Sequence, residues 1–158
     1  MKLRDFIVEN AIVADLKATT REEAILELVT ALARAGAVAE SAVDDICATL
    51  IKRENSGSTG FGKGIAVPHG KLTTVDTVIG TIGRSASGIN FSALDGQAVY
   101  SIVLLLSPEG QPQQHLQAIN LVFSSLHNDS FRRFLRQSDT PQKIVELLDE
   151  ADGRQMVR

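Results

Sequence analysis

The 158-residue sequence predicts an α/β fold, specifically a three-layer α/β/α sandwich with a mixed central sheet. Three observations carry that reading. Helical patterns lie before and after a central group of strand patterns rather than alternating strictly with them. Asp95-Gly96 is a hairpin signal, which makes part of the sheet antiparallel. Ala98 to Leu106 is an apolar run of the kind that is buried on both faces of a sheet.

The elements follow in chain order. Ile12-Val13-Ala14 reads as a short strand. Thr20 and Glu23 form a capping box, and Ala24, Ile25, Leu28, Leu32 and Ala35 continue at helical spacing until Gly36 ends the helix. A second helix from about Ser41 to Arg53 turns Val43, Ile46, Cys47, Leu50 and Ile51 inward. A glycine-rich segment from Glu54 to Gly64 leads into Ile65-Ala66-Val67 and Pro68-His69-Gly70. Val75 to Arg84 reads as a strand, with turns at Gly88 and Asn90. After the Ala98–Leu106 strand and a loop from Pro108 to Pro112, a helix from Gln113 to His127 is expected to bury Leu116, Ile119, Val122, Phe123 and Leu126. A short helix carries Phe131, Phe134 and Leu135. Thr140 as N-cap with Pro141 behind it opens the last helix. The expected organisation is one domain over residues 1–150, with 151–158 a flexible tail.

Composition narrows the function classes. The chain is 44% hydrophobic and 22% charged, as a folded globular protein is. A net charge of −3 offers no general basic field, so no nucleic-acid partner is expected. The longest apolar stretch, Ile102 to Leu106, is far too short to span a bilayer, and the opening residues lack the apolar run of a signal peptide. Cys47 is the single cysteine, so no internal disulfide can form. A cytoplasmic protein that is not membrane-embedded is the expectation.

Two motifs compete for the chemistry. Gly57 to Lys63 fits the first seven positions of a phosphate-binding G-x-x-x-x-G-K loop. The eighth should be Ser or Thr and is Gly64, and the segment leaves a helix for a strand, the reverse of the P-loop context. The other motif is Pro68-His69-Gly70. Five glycines between residues 57 and 70 let the backbone approach a neighbouring group and aim N–H donors at an anion. Neutral imidazole is a competent nucleophile near pH 7 and needs no metal or cofactor to exchange a phosphoryl group with another histidine. His69, His115 and His127 lack the H-x-x-x-H spacing of a zinc site, so no metal is expected.

The segments Arg53-Glu54-Asn55-Ser56-Gly57-Ser58-Thr59-Gly60 and Gly64-Ile65-Ala66-Val67-Pro68-His69-Gly70-Lys71-Leu72 closely resemble the active-site signature of one family. This is the type-2 IIA component, of fructose/mannitol/nitrogen-regulatory type, of the phosphoenolpyruvate-dependent phosphotransferase system. The likeness extends to Leu94–Val99, to Ser107-Pro108 and to Gln114-His115-Leu116. The resemblance implies that His69 accepts a phosphoryl group, on Nε2, from the phosphohistidine of a small HPr-like carrier. It implies that His115 helps position and stabilise the phosphorylated state and that Arg53 neutralises phosphate charge. Ser58 and Thr59 fall where their donors would contact phosphoryl oxygens. The protein would then be a phosphotransferase-system component that works as a stoichiometric phosphohistidine carrier. The opening strand and the Thr20–Gly36 helix look like the free-standing nitrogen-regulatory branch, whose phosphorylation state controls regulatory protein targets. The alternative is a sugar-uptake protein that passes its phosphoryl group to a IIB component.

Overall fold

A computed structural model describes residues 1–157. Its helices are α1 (Leu3–Phe6), α2 (Arg21–Arg34), α3 (Val43–Ser56), α4 (Pro112–Leu126), α5 (Asp129–Gln137) and α6 (Pro141–Val157). Its strands are β1 (Gly60–Gly62), β2 (Ile65–Ala66), β3 (His69–Leu72), β4 (Ile79–Ile89) and β5 (Val99–Pro108).

β5 organises the sheet. On one side β4 pairs with it antiparallel, from Ile79↔Leu106 to Ile89↔Val99. On the other, β2 and β3 lie in line and both run parallel to it, with Ile65 opposite Ser101 and His69 opposite Leu105. β1 pairs antiparallel with β2. The sheet is therefore mixed, as the sequence predicts.

Side-chain alternation along β5 creates the layers. Ile102, Leu104 and Leu106 enter a core with Ile25, Leu28, Leu32, Ile46 and Leu50 of α2 and α3. Val103 and Leu105 enter the opposite core with Val122, Leu126, Phe131, Leu135, Ile144 and Leu148 of α4, α5 and α6. Each fully buried leucine or isoleucine there contributes about 1.5–3 kcal/mol.

Several boundaries differ from the sequence reading, each for a physical reason. Ile12-Val13-Ala14 makes only an isolated bridge, Val13↔Gly83, on the outer edge of β4. The strand expected at Val75–Arg84 is shifted to Ile79–Ile89. Gly88 is a bulge inside it rather than a turn: between Arg84↔Ser101 and Ile89↔Val99 the ladder advances five residues on β4 and two on β5. Gly88 has φ +91°, and a Cβ there would lie 2.9 Å from Ala98 Cβ. Leu116, expected in the core, is 58% exposed, because Ala118 and Val122 take the inward positions of α4; on α5 Phe131 and Leu135 point inward and Phe134 is 49% exposed.

The chain end also departs from expectation. α6 continues through Val157, over residues assigned to a flexible tail; only Arg158 lies outside the described residues. Buried Asp152 anchors the start of that extension, since its carboxylate accepts the N–H groups of Leu3 at 2.8 Å and Arg4 at 3.1 Å. A carboxylate satisfies the otherwise unpaired donors at the start of α1 and ties the two ends of the chain together.

Candidate functional site

The glycine-rich segment after α3 is a folded connector. Glu54, in the last turn of α3, is 2% exposed, and its carboxylate accepts both the N–H and the hydroxyl of Thr59. Ser58 donates its hydroxyl to Phe91 O at 2.7 Å and accepts Gly60 N–H at 3.0 Å. Gly62, Lys63 and Gly64 all have positive φ, forming the tight β1–β2 turn, and Lys63 N–H is held by Asp95 at 3.0 Å. Those backbone hydrogen bonds, first from Gln97 and then from Lys63, hold the Asp95 carboxyl below its usual range. Two sequence expectations change here. The hydroxyl protons of Ser58 and Thr59 point to protein acceptors rather than to a phosphoryl site, and the loop amides of Thr59, Gly60 and Lys63 are already engaged. The segment leaves α3 and enters β1, so the P-loop geometry is absent.

What this connector builds is the approach to His69. Val67 interrupts the sheet: its N–H goes back to Thr59 O at 3.2 Å, while Pro68 O accepts Leu105 N–H at 2.9 Å. The chain resumes pairing with His69 at the first position of β3. Gly70 follows because α3 packs against it. A Cβ at Gly70 would meet Leu50 Cδ2 at 3.3 Å and Thr49 Cγ2 at 3.5 Å.

Half-buried His69 places Nδ1 2.7 Å from Val67 O. A carbonyl only accepts, so Nδ1 carries the proton and Nε2 presents a lone pair. His115 arrives from the other direction. After β5 a turn closes with Gln111 N–H on Pro108 O, and the first turn of α4 lays the His115 ring beside that of His69. The two ring centroids are 5.8 Å apart, with planes tilted by 40°.

His115 Nδ1 lies 2.6 Å from Ser107 Oγ, and Ser107 is fully buried. A hydroxyl both donates and accepts, so it serves His115 in the Nε2–H tautomer and as imidazolium alike. His69 is thus locked in one tautomer, whereas His115 is held in place with its protonation left free. Burial lowers the pKa of His115, and the electrostatic influence of the neighbouring His69 ring and Lys71 lowers it further. The sequence marks Ser107 only as part of the Ser107-Pro108 likeness and gives it no role, because a bond to a histidine eight residues away on another element leaves no local pattern.

Arg53, one helical turn beyond Thr49, donates Nη1–H to Gly57 O at 2.7 Å. Among the described residues this is its one hydrogen bond, so the rest of its guanidinium fork is available. Its link to His69 runs through the connector: Gly57, then Thr59, whose carbonyl takes Val67 N–H, then Val67, whose carbonyl takes His69 Nδ1–H. His127 is the C-cap of α4, about 18 Å along that helix from His115, so the three histidines do not converge as a zinc site would require.

This combination defines an α/β/α domain with an accessible, tautomerically fixed imidazole and a second imidazole beside it. The chain belongs to the family described as "Phosphoenolpyruvate-dependent sugar phosphotransferase system, EIIA 2", which it matches over residues 5–151. It is 34% identical over 148 residues to a nitrogen regulatory protein of Bradyrhizobium diazoefficiens, covering 94% of this chain and 95% of that one. It is 28% identical over 152 residues to the fructose-specific EIIABC component of Bacillus subtilis, spanning 24% of that longer protein. Among solved structures, nitrogen regulatory protein IIA-Ntr from Neisseria meningitidis superposes with a TM-score of 0.81 at 27% identity, covering 91% of this chain and 97% of that one. IIA mannitol from Escherichia coli gives 0.71 at 25% identity, covering 89% and 96%. The protein is therefore a component of the phosphotransferase-system type. Among the described residues no helix is long and apolar enough to cross a membrane.

Proposed function

We propose that this protein is a phosphohistidine carrier that accepts a phosphoryl group on His69 Nε2 from an HPr-like phosphocarrier. The observation that carries this reading is the 2.7 Å contact of His69 Nδ1 with Val67 O, which reserves Nε2 as the nucleophile. The Nε2 lone pair attacks phosphorus, the new N–P bond forms as the donor's N–P bond breaks, and the electron pair returns to the donor imidazole. Val67 O keeps the Nδ1 proton throughout and stabilises the positive charge that develops on the ring. His115, with Ser107 donating into Nδ1, presents Nε2–H toward the incoming oxygens. Once His69 carries a phosphoryl group, the adjacent charge turns negative and favours protonation of His115. The spare fork of Arg53, on the helix that packs against Gly70, is the candidate second cation for the phosphoryl group.

Of the two branches, the nitrogen-regulatory one is supported by a relative at 34% identity matched over 95% of its length. In that role a free-standing cytoplasmic protein controls its targets by binding them according to its phosphorylation state. Transfer to a IIB component in sugar uptake is the second reading, favoured by the match to the fructose-specific component. The test is incubation with phosphoenolpyruvate, the first enzyme of the chain and an HPr-like carrier, followed by intact mass spectrometry. The expected result is one added phosphoryl group on wild type and none on His69→Ala. Equal labelling of the mutant, or an unchanged wild type with several donors, refutes it.

A further inference from the structure

One open cleft of about 690 Å³ is lined by Lys63, Arg84, Arg132, Arg133 and Arg136, with Asp129 its single carboxylate. In a chain of net charge −3 this is a concentrated reversal of sign. Asp129 is already paired with Arg132. Among the described residues none of Lys63, Arg84, Arg133 and Arg136 has a carboxylate within ion-pair distance. The nearby acids that Arg84 influences, Asp15 and Asp139, have lysine partners of their own in Lys17 and Lys143. Four cations without an ion-pair partner facing one space repel each other, and that repulsion is relieved when an anion enters.

Three of the arginines are held in place. Arg84 donates Nε–H to Arg136 O at 2.6 Å and Nη1–H to Ala14 O at 3.1 Å. The Arg136 guanidinium lies 3.7 Å above the centroid of the Tyr100 ring. Arg132 donates to Leu126 O at 2.6 Å. Anchoring guanidinium groups on neutral carbonyls and a ring fixes their direction while leaving their charge unspent, which pre-organises a site for an anion.

The cleft is separate from the paired histidines. Arg84 stands opposite Ser101 on one edge of β5 and His69 opposite Leu105 on the other edge, so they are about 13 Å apart along the strand. From this we infer that the cleft is a second, independent binding site, for a small organic polyphosphate such as a nucleoside triphosphate. Charge density selects that ligand over an acidic peptide. Carboxylates on alternate residues of an extended chain recur only every ~7 Å, whereas a triphosphate concentrates several charges in one cleft-sized group that matches arginine forks. The cleft volume falls in the ~300–1,000 Å³ range of ligand sites.

The test is isothermal titration of the protein with adenosine triphosphate and, separately, with inorganic tripolyphosphate and polyglutamate, in chelator and at physiological salt. Arg133→Gln/Arg136→Gln and His69→Ala are titrated alongside, with circular dichroism to check folding. Saturable one-to-one binding of the nucleotide, weakened roughly tenfold or more by the double substitution and unchanged by His69→Ala, is the expected result. Tripolyphosphate binding as tightly as the nucleotide assigns recognition to the phosphates alone; weaker binding assigns part of it to the nucleoside. No saturable binding, equal binding by the folded double variant, loss of binding in His69→Ala, or equal binding of polyglutamate overturns the inference.

Discussion

Replacing Ser107 with alanine removes the one group that, among the described residues, is bonded to His115 Nδ1, and barely changes the volume of a fully buried position. The stability effect follows from the bond itself. A hydrogen bond of this kind contributes about 0.5–1.5 kcal/mol, with up to ~3 kcal/mol when the surviving partner is buried and unsatisfied. Because the His115 ring is only half-buried and water can replace the serine, about 1 kcal/mol is expected, or roughly 2–4 °C in Tm for a chain of this size. The transfer effect is larger. The ring loses the group that fixes its tautomer and orientation next to His69, and single-turnover transfer should slow roughly tenfold. Since Ser107 acts through His115, Ser107→Ala/His115→Ala should transfer no more slowly than His115→Ala alone. Rapid-quench transfer from a phosphorylated HPr-like donor measures all three. A wild-type rate in Ser107→Ala, or effects that simply multiply in the double variant, would refute a positioning role for the serine.

Arg53→Lys should retain partial transfer and Arg53→Ala lose most of it, because lysine keeps the charge without the planar fork; equal wild-type rates in both, with only a small Tm shift, would reduce Arg53 to a helix cap on Gly57 O. Glu54→Ala should destabilise the protein by about 2–4 kcal/mol in urea unfolding, because it leaves the buried N–H and hydroxyl of Thr59 without their charged acceptor; a change within about 0.5 kcal/mol would contradict that. His115 has a folded-state pKa below its unfolded value, so the unfolded chain binds the extra proton first. Its contribution to stability is present above the unfolded pKa and is lost as pH falls through that value toward the lower folded one. Wild type should accordingly lose more stability than His115→Ala between neutral pH and mildly acidic pH in parallel denaturant titrations; identical pH profiles would show that the ring gains no proton on unfolding.

Features carried by local chemistry were legible in the sequence. Thr20 and Glu23 form the expected capping box, and the apolar run ending at Leu106 is the buried central strand. His69, His115 and Arg53 could be named as candidates, since a motif marks each of them. Long-range pairings were not legible. The tie of Asp152 to α1 joins residues about 149 apart in the chain, so the last helix looked frayed when read alone. Glycine richness after α3 suggested an anion cradle, yet the carboxylates of Glu54 and Asp95 use those amides themselves. Leu116 shows the limit of helical periodicity: spacing gives the stripe, but the crossing of α4 over β5 decides which edge of it is covered. The basic cleft was invisible for the same reason, since Lys63, Arg84 and the α5 arginines meet only once the sheet has formed.

The central claim is that His69 is phosphorylated at Nε2 because Val67 O holds the proton on Nδ1. Long-range ¹H–¹⁵N correlation of the imidazoles, recorded before and after phosphorylation by an HPr-like donor, tests it directly. The unmodified protein should show the His69 proton on Nδ1, and the modified protein should show phosphorus coupled to His69 Nε2 with the Nδ1 proton retained. Phosphorus coupled to Nδ1, or to a nitrogen of His115 or His127, would contradict the account.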